Sequence, residues 1–205
     1  DTGPNTGGMG AVSPPTGFDR AAQEAALDLL VRPMLREMAR RGTPFTGIIF
    51  AGLMLTRSGP QLIEYNVRLG DPEAQALLIR LESDLLAALA AVAAGDLAHT
   101  DIRFSNKSSI SVVMAARGYP GTPVTGGIIS NMAGAEAVPG VQVFQAGTKL
   151  DDAGNLVAAG GRVLAVCAAA DTLSTARARA YEAGASSDWP EGVYRHDIGP
   201  RAPAS

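Results

Sequence analysis

The chain has 205 residues, 46% hydrophobic and 18% charged, with a formal net charge of −3. That length supports one large or two small domains with real cores, and the near-neutral balance leaves no electrostatic footprint for nucleic acid or an anionic membrane. No apolar run is long enough to span a bilayer as a helix, no signal peptide is visible, and the single cysteine, Cys167, has no internal partner for a disulfide. The cytoplasm is the expected compartment. Cys167, inside "RVLAVCAAA", is expected to be a small hydrophobe on a strand, not a nucleophile.

The first ten residues, "DTGPNTGGMG", hold four glycines and a proline and are expected to be loop. They carry no initiator methionine, so the chain is expected to be a piece of a longer protein. A helix is predicted from an Asp19 N-cap, with Ala22, Ala25, Ala26, Leu29 and Leu30 at helical spacing. Pro33 should kink it or start a second helix bearing Met34, Leu35 and Met38, which Gly42 ends. A hairpin follows: one strand over 47–55, a turn "TRSGPQ", and a return strand over 62–68. Asp71 and Pro72 suit the N-cap and first position of another helix. Leu77, Leu78, Leu81, Leu85, Leu89 and Val92 form its apolar stripe, with a break and a second cap expected at Ser83, and Gly95 closing the region. From about Asn106 the chain turns strand-rich, through "SSISVVMAARGYPG", "VQVFQAGTKL", "GNLVAAGGRVLAVCAAA" and "YRHDIG", with one helix near 173–183.

The return strand poses a chemical question. In "LIEYNVRLGDPEAQ", Glu64, Asn66 and Arg68 alternate with Ile63, Tyr65 and Val67. A strand presents alternate residues to one side, so the apolar set should face a core and the polar set should converge. A carboxylate and a carboxamide about 6.5–7 Å apart along a strand are both hard oxygen ligands. Mg²⁺ takes one or two such groups and completes its shell with water and phosphate oxygens. Arg68 adds a forked donor for carboxylate or phosphate. A solvated strand face is the alternative for these three residues taken alone. The glycine-rich opening can point backbone N–H groups into one concavity that attracts anions. It is neither a Walker loop nor a dinucleotide fingerprint, and a tight turn is its alternative.

Taken together, "GPNTGGMGA", "FAGLML", "IEYNVRLGDPEAQ", "LESDLL" and "AGT…GGRVLAV…YRHDIG" resemble, in order and over essentially the whole chain, the phosphoribosylamine–glycine ligase family. The resemblance implies an α+β fold: residues 1–104 as the C-terminal part of an ATP-grasp domain, and 105–205 as the family's small β-rich C-terminal domain. It implies ATP with Mg²⁺ (or Mn²⁺), and glycine and 5-phosphoribosylamine as substrates joined in purine biosynthesis through a glycyl phosphate. No nucleic acid or membrane partner is implied, and the N-terminal half of the same protein is missing, so the chain alone is expected to be inactive. Carried over by position, Glu64 and Asn66 match the metal ligands. Arg68 and Asp71 match the substrate side of the catalytic platform, although Asp71 also suits a helix cap. Asp1, Asn5, Thr6, Gly7, Gly8, Met9 and Gly10 match the loop approaching the ribonucleotide. Leu53 and Leu55, on the first hairpin strand, are candidates to flank the adenine, with a core role as the favoured reading. Departures exist: the first hairpin strand carries no acidic residue for a further metal ligand, "TPVTGGII" lacks a basic–acidic pair near 125–127, and His196 stands where a basic residue is usual. His99 and His196 are both expected at the surface. Another ATP-grasp ligase, or a non-catalytic module keeping the fold, remains the alternative function.

Overall fold

The computed structural model describes residues 3–199. In chain order its elements are β1 (Gly10–Ser13), α1 (Arg20–Ala26), a π-helical turn (Leu27–Val31), α2 (Arg32–Arg40), β2 (Phe50–Thr56), β3 (Gly59–Asn66), α3 (Glu73–Leu78), α4 (Leu85–Ala94), β4 (Ser108–Ala116), α5 (Met132–Glu136), β5 (Val141–Gln145), β6 (Thr148–Leu150), β7 (Leu156–Ala158), β8 (Arg162–Ala170), α6 (Leu173–Ser186) and β9 (Gly192–Tyr194). The α+β class expected from the sequence is the class observed. Two compact units form, and they interleave along the chain: Asp1–Pro14, Asp71–Arg80 and Ser105–Ser205 make one, Pro15–Gly70 and Leu81–Phe104 the other. No helix among the described residues is long and apolar enough to cross a membrane.

The larger unit is built on a five-stranded antiparallel sheet. Its centre is β4, paired with β8 along one edge and with β1 and β9 along the other. "SSISVVMAA" is buried almost throughout, so β4 is covered on both faces and reads as a continuous apolar run, not an alternating one. Ile110, Val112, Met114 and Ala116 join Val163, Val166 and Ala168 in a core closed by Ala176, Ala180 and Ala183 of α6. The small side chains of α6 let it pack close to the sheet. Cys167 is fully buried opposite Ser111, and burial pushes its thiol pKa up to about 12. It is the inert small hydrophobe the sequence predicted.

Two elements of this unit were not foreseen. Residues 10–13, expected to be loop at residue 10 and unassigned beyond, form β1 against Ser109–Val112. The helix α5 was also missed; five residues rich in alanine and glycine carry too little periodicity to be read. "YRHDIG" contributes only Tyr194 to a strand, and His196 instead lies exposed beside the Tyr181 and Tyr194 rings.

The smaller unit contains α1, the π turn, α2, the β2–β3 hairpin and α4. Asp19 caps α1 as expected, its Oδ1 accepting from Ala22 N–H at 2.8 Å. Pro33 sits in the first turn of α2, after the π turn rather than within a kinked helix. The hairpin turn is tighter than "TRSGPQ": only Arg57 and Ser58 connect the strands, with Gly59 at φ 104°, a conformation a side chain would strain. The predicted stripe from Leu77 to Val92 is divided, because α3 ends at Leu78 and α4 begins at Leu85. Asp84, not Ser83, caps α4 through Ala87 N–H, while the Ser83 hydroxyl accepts from Arg103 N–H. Gly95 closes α4 in the left-handed region as predicted.

This unit buries little. Ala26 and Ala88 are its buried apolar side chains among the described residues. Ile63 and Val67, expected to face a core, are 62% and 72% exposed. Ile63 is the extra residue of a bulge in β3, and Val67 lies beyond the strand's end. A two-stranded ribbon with one helical layer has only one face to bury.

Candidate functional site

The hairpin register sorts its residues by face. Glu64 pairs with Gly52 and Asn66 with Phe50, while Tyr65 pairs with Ala51. Tyr65 turns to the helical layer, its hydroxyl donating to the Leu30 carbonyl. Glu64 and Asn66 are therefore on the other face, and their side chains meet: Asn66 Nδ2 donates to Glu64 Oε1 at 2.9 Å. Opposite Glu64 stands Gly52, whose missing Cβ would lie 3.6 Å from Glu64 Cγ, so the strand opposite adds no bulk over the carboxylate. Glu64 is exposed and Asn66 half-buried. The donor set, one carboxylate and one carboxamide open to solvent, suits a hard divalent cation that retains water and phosphate ligands. Among the described residues there is no cluster of three or more His, Cys, Asp or Glu able to form an all-protein cage.

Arg68 does not continue this face. β3 ends at Asn66, and the exposed Arg68 folds back so that Nη1 donates to the Leu69 carbonyl at 2.9 Å. Leu53 lies on the Tyr65 side, where it lines an apolar cavity of about 250 Å³ with Phe18, Ala26, Leu27, Val31 and Ile49. Leu55 is 53% exposed near the hairpin turn. Met54, between them, shares the Glu64–Asn66 face by alternation and is 56% exposed.

A second constellation belongs entirely to the larger unit. Asp71 is not an N-cap; Pro72 takes that position in α3. Its carboxylate instead accepts from Gln75 Nε2 at 3.0 Å through Oδ1 and from Arg162 Nη2 at 2.8 Å through Oδ2. Arg162 Nη1 donates both to the Asp71 carbonyl (2.9 Å) and to the Gly8 carbonyl (3.0 Å). Gly7 N–H donates to the Tyr119 hydroxyl at 3.1 Å. Met9 and Gly10 lead into the sheet, where the Met9 carbonyl accepts from Val113 N–H and Gly10 pairs with Val112. Asn5, Thr6, Gly7 and Gly8 are exposed, Met9 and Gly10 half-buried. Asp1 lies outside the described residues.

The glycines here have a packing reason as well as a binding one. A Cβ on Gly8 would meet Pro72 Cδ at 2.5 Å, and one on Gly7 would meet the Tyr119 hydroxyl oxygen at 3.1 Å and Arg162 Cζ at 3.2 Å. The structure thus brings Gly7, Gly8 and Asp71 together around Arg162 and Tyr119, which the sequence had not marked. The sole signal was the glycine pair before Arg162 in "GGRVL". A second arginine holds the same unit: Arg80 donates to Ser13 Oγ at 2.6 Å and to the Ser105 carbonyl at 2.9 Å. Burial lowers its pKa from the ordinary arginine value.

Comparison with known proteins identifies two domains along the chain. Residues 1–74 match the phosphoribosylglycinamide synthetase ATP-grasp (A) domain, and residues 109–201 match the phosphoribosylglycinamide synthetase C domain. A phosphoribosylamine–glycine ligase of Mesorhizobium japonicum is 52% identical over 204 residues, covering all of this chain and 48% of that protein. A chloroplastic phosphoribosylamine–glycine ligase of Arabidopsis thaliana is 50% identical, covering 98% of the chain and 38% of the relative. The crystal structure of the Thermotoga maritima phosphoribosylamine–glycine ligase superposes with a TM-score of 0.82 at 32% identity, covering 97% of this chain and 48% of that one. A biotin carboxylase domain shares the fold alone, at 17% identity and a TM-score of 0.61 over 91% of this chain and 40% of its own. The chain spans about half the length, or less, of these ligases. It belongs to the phosphoribosylamine–glycine ligase family, as part of the family's ATP-grasp domain together with its C domain.

Proposed function

We propose that this chain supplies the metal-binding and substrate-loop portion of an ATP-dependent ligase that joins glycine to 5-phosphoribosylamine. In that reaction the glycine carboxylate attacks the γ-phosphorus of ATP, releasing ADP. The ribosylamine nitrogen then displaces phosphate from the glycyl phosphate. The protein's part is to align the reactants and to neutralise charge at the transferring group, so no side-chain nucleophile is required. The observation that carries the reading is the Glu64–Asn66 pair, side by side at 2.9 Å on an open strand face. These two residues would hold Mg²⁺ (or Mn²⁺), which when bound supplies positive charge to the terminal phosphates of ATP. Arg68, beyond the strand end, would have to turn its fork from the Leu69 carbonyl to reach an anionic group. Asp71 presents a carboxylate that is half-exposed and already fixed on one side.

The loop Asn5–Gly10, with Asp1, is proposed to approach the ribonucleotide. Leu53 and Leu55 remain proposals for the adenine side, but Phe50 and Met54 are the apolar residues of this strand on the metal face. The partition into residues 1–104 and 105–205 is a proposal about inherited domains, which the compact units cross. The exposed Ile63, Val67, Met54 and Leu62 support the view that the remaining half of the relatives' length covers this ribbon and completes the nucleotide site.

The test is ADP release dependent on both glycine and freshly made phosphoribosylamine, measured in the complete ligase carrying this chain. Glu64→Ala should abolish turnover and weaken Mg²⁺-ATP binding, while the 205-residue chain alone should show no turnover. Unchanged nucleotide affinity and turnover in Glu64→Ala would sink the assignment and favour a binding module.

A further inference from the structure

We propose that Arg162 is a positioning residue for the substrate side of the ligase, holding the glycine-rich loop and Asp71 in one fixed arrangement. The inference rests on the ligase reading for its functional part, but the clamp itself is a matter of local geometry. One guanidinium bonds three acceptors in two distant segments: the Gly8 carbonyl, the Asp71 carbonyl and the Asp71 carboxylate, all within 2.8–3.0 Å. These are charge-assisted bonds from a planar fork, the geometry in which arginine fixes orientation as well as distance. The Arg162 side chain is 26% exposed, whereas that of Asp71 is 54% exposed. The arginine thus sits behind, and the carboxylate it orients faces outward.

The clamp is anchored on a rigid element. Arg162 begins β8, whose backbone pairs with both β4 and β5. Its carbonyl is engaged by Gly147 N–H at 3.1 Å, so the backbone at this position is fixed. From the same side Tyr119 fixes the next link of the loop by accepting from Gly7 N–H. The loop therefore does not keep all its amides for an anion; it is tethered by a carbonyl at Gly8 and an amide at Gly7. Loss of the guanidinium would release the Gly8 carbonyl and leave Asp71 only its bond from Gln75, although neither residue is replaced. A supporting shell of this kind keeps binding groups in productive geometry.

Two measurements decide the matter. Hydrogen exchange of the 205-residue chain compares wild type with Arg162→Met, which retains the apolar stem but loses all three bonds. Exchange at Gly7, whose N–H is held by the Tyr119 hydroxyl, should rise about tenfold or more, with the β4 amides that pair with β8 unchanged. In the complete ligase, Arg162→Met should raise KM for phosphoribosylamine or glycine about 10–100-fold, leaving KM for ATP within about twofold. Arg162→Lys, which keeps the charge but not the fork, should recover part of that loss. A purely structural arginine would shift all three KM values together or none.

Unchanged exchange at Gly7 would overturn the clamp. Faster exchange with unaltered substrate KM values would overturn the positioning role. Should Arg162→Met fail to fold, Arg162→Lys gives the same two comparisons at reduced amplitude. A wild-type ligase without glycine-dependent turnover would refute the ligase reading instead, and the exchange experiment would still judge the clamp.

Discussion

Replacing Gly8 by alanine tests whether the glycine-rich loop is shaped by packing against the Asp71–Pro72 segment. Gly8 is not in the left-handed region, so alanine brings no backbone strain and the effect is purely steric. The new Cβ would fall 2.5 Å from Pro72 Cδ and 3.0 Å from the Asp71 carbonyl oxygen. Ordinary contact begins near 3.4 Å, so about 0.9 Å of separation is missing, and a proline ring cannot rotate out of the way. A shift of about 1 Å in the loop would stretch the 3.0 Å bond from Arg162 to the Gly8 carbonyl beyond hydrogen-bonding range. Overpacking costs about 1–3 kcal/mol and a lost bond to a charged donor about 1.5–3 kcal/mol. With partial relaxation the expected destabilisation is about 2–5 kcal/mol. The single tryptophan, Trp189, is 4% exposed in the core of the same unit. Its fluorescence during urea unfolding of the 205-residue chain reads the change as a lower midpoint at unaltered slope. Gly3→Ala, whose Cβ meets nothing within 4 Å, is the control, and Gly7→Ala should fall between the two, since its contacts at 3.1–3.3 Å need only small adjustments. A Gly8→Ala midpoint equal to that of Gly3→Ala would refute the packing argument.

Alkaline stability should depend on Cys167. Its buried thiol titrates near 12 against an ordinary value of 9.0, so between those pH values the unfolded chain gives up a proton that the folded chain keeps. Stability is intact below pH 9 and then falls by at most about 1.4 kcal/mol per pH unit as pH rises toward 12. Urea midpoints at pH 8 and 10.5 should drop more for wild type than for Cys167→Ala; equal drops would show that the thiol is not the cause. Asp84→Ala removes the side-chain cap of α4 and should cost about 1 kcal/mol, read as loss of helical circular dichroism at lower temperature. Ser83→Ala should cost less, since its hydroxyl caps no helix; the reverse order would contradict the observed cap.

Local signals were legible where the physics is local. The Asp19 cap, the Gly95 stop, the hairpin and the buried strand around Cys167 all follow from residue type and short-range spacing. So does the Glu64–Asn66 pair, because strand alternation is a two-residue property. What failed depends on contacts distant in sequence. The β1 strand exists because Ser109–Val112 offers a free edge, and nothing in residues 10–13 announces that edge. Asp71 has the residue type of a cap, but Arg162, 91 positions later, takes its carboxylate. Arg68 keeps the alternating pattern on paper, yet the strand stops two residues before it.

The misplaced apolar residues carry a separate lesson. Alternation predicted a buried face for Ile63, Tyr65 and Val67, and Tyr65 alone obeys it. Periodicity states which residues share a side; it does not state that the side is covered. Coverage needs a partner layer, and the helical layer of α1 and the π turn is wide enough only for the stretch containing Ala51, Leu53 and Tyr65. The larger unit, by contrast, has its sheet covered by α6 and α3, and there nearly every apolar residue of β4 and β8 is buried. The same residue types therefore end buried in one unit and exposed in the other, and the difference lies in the number of packed layers.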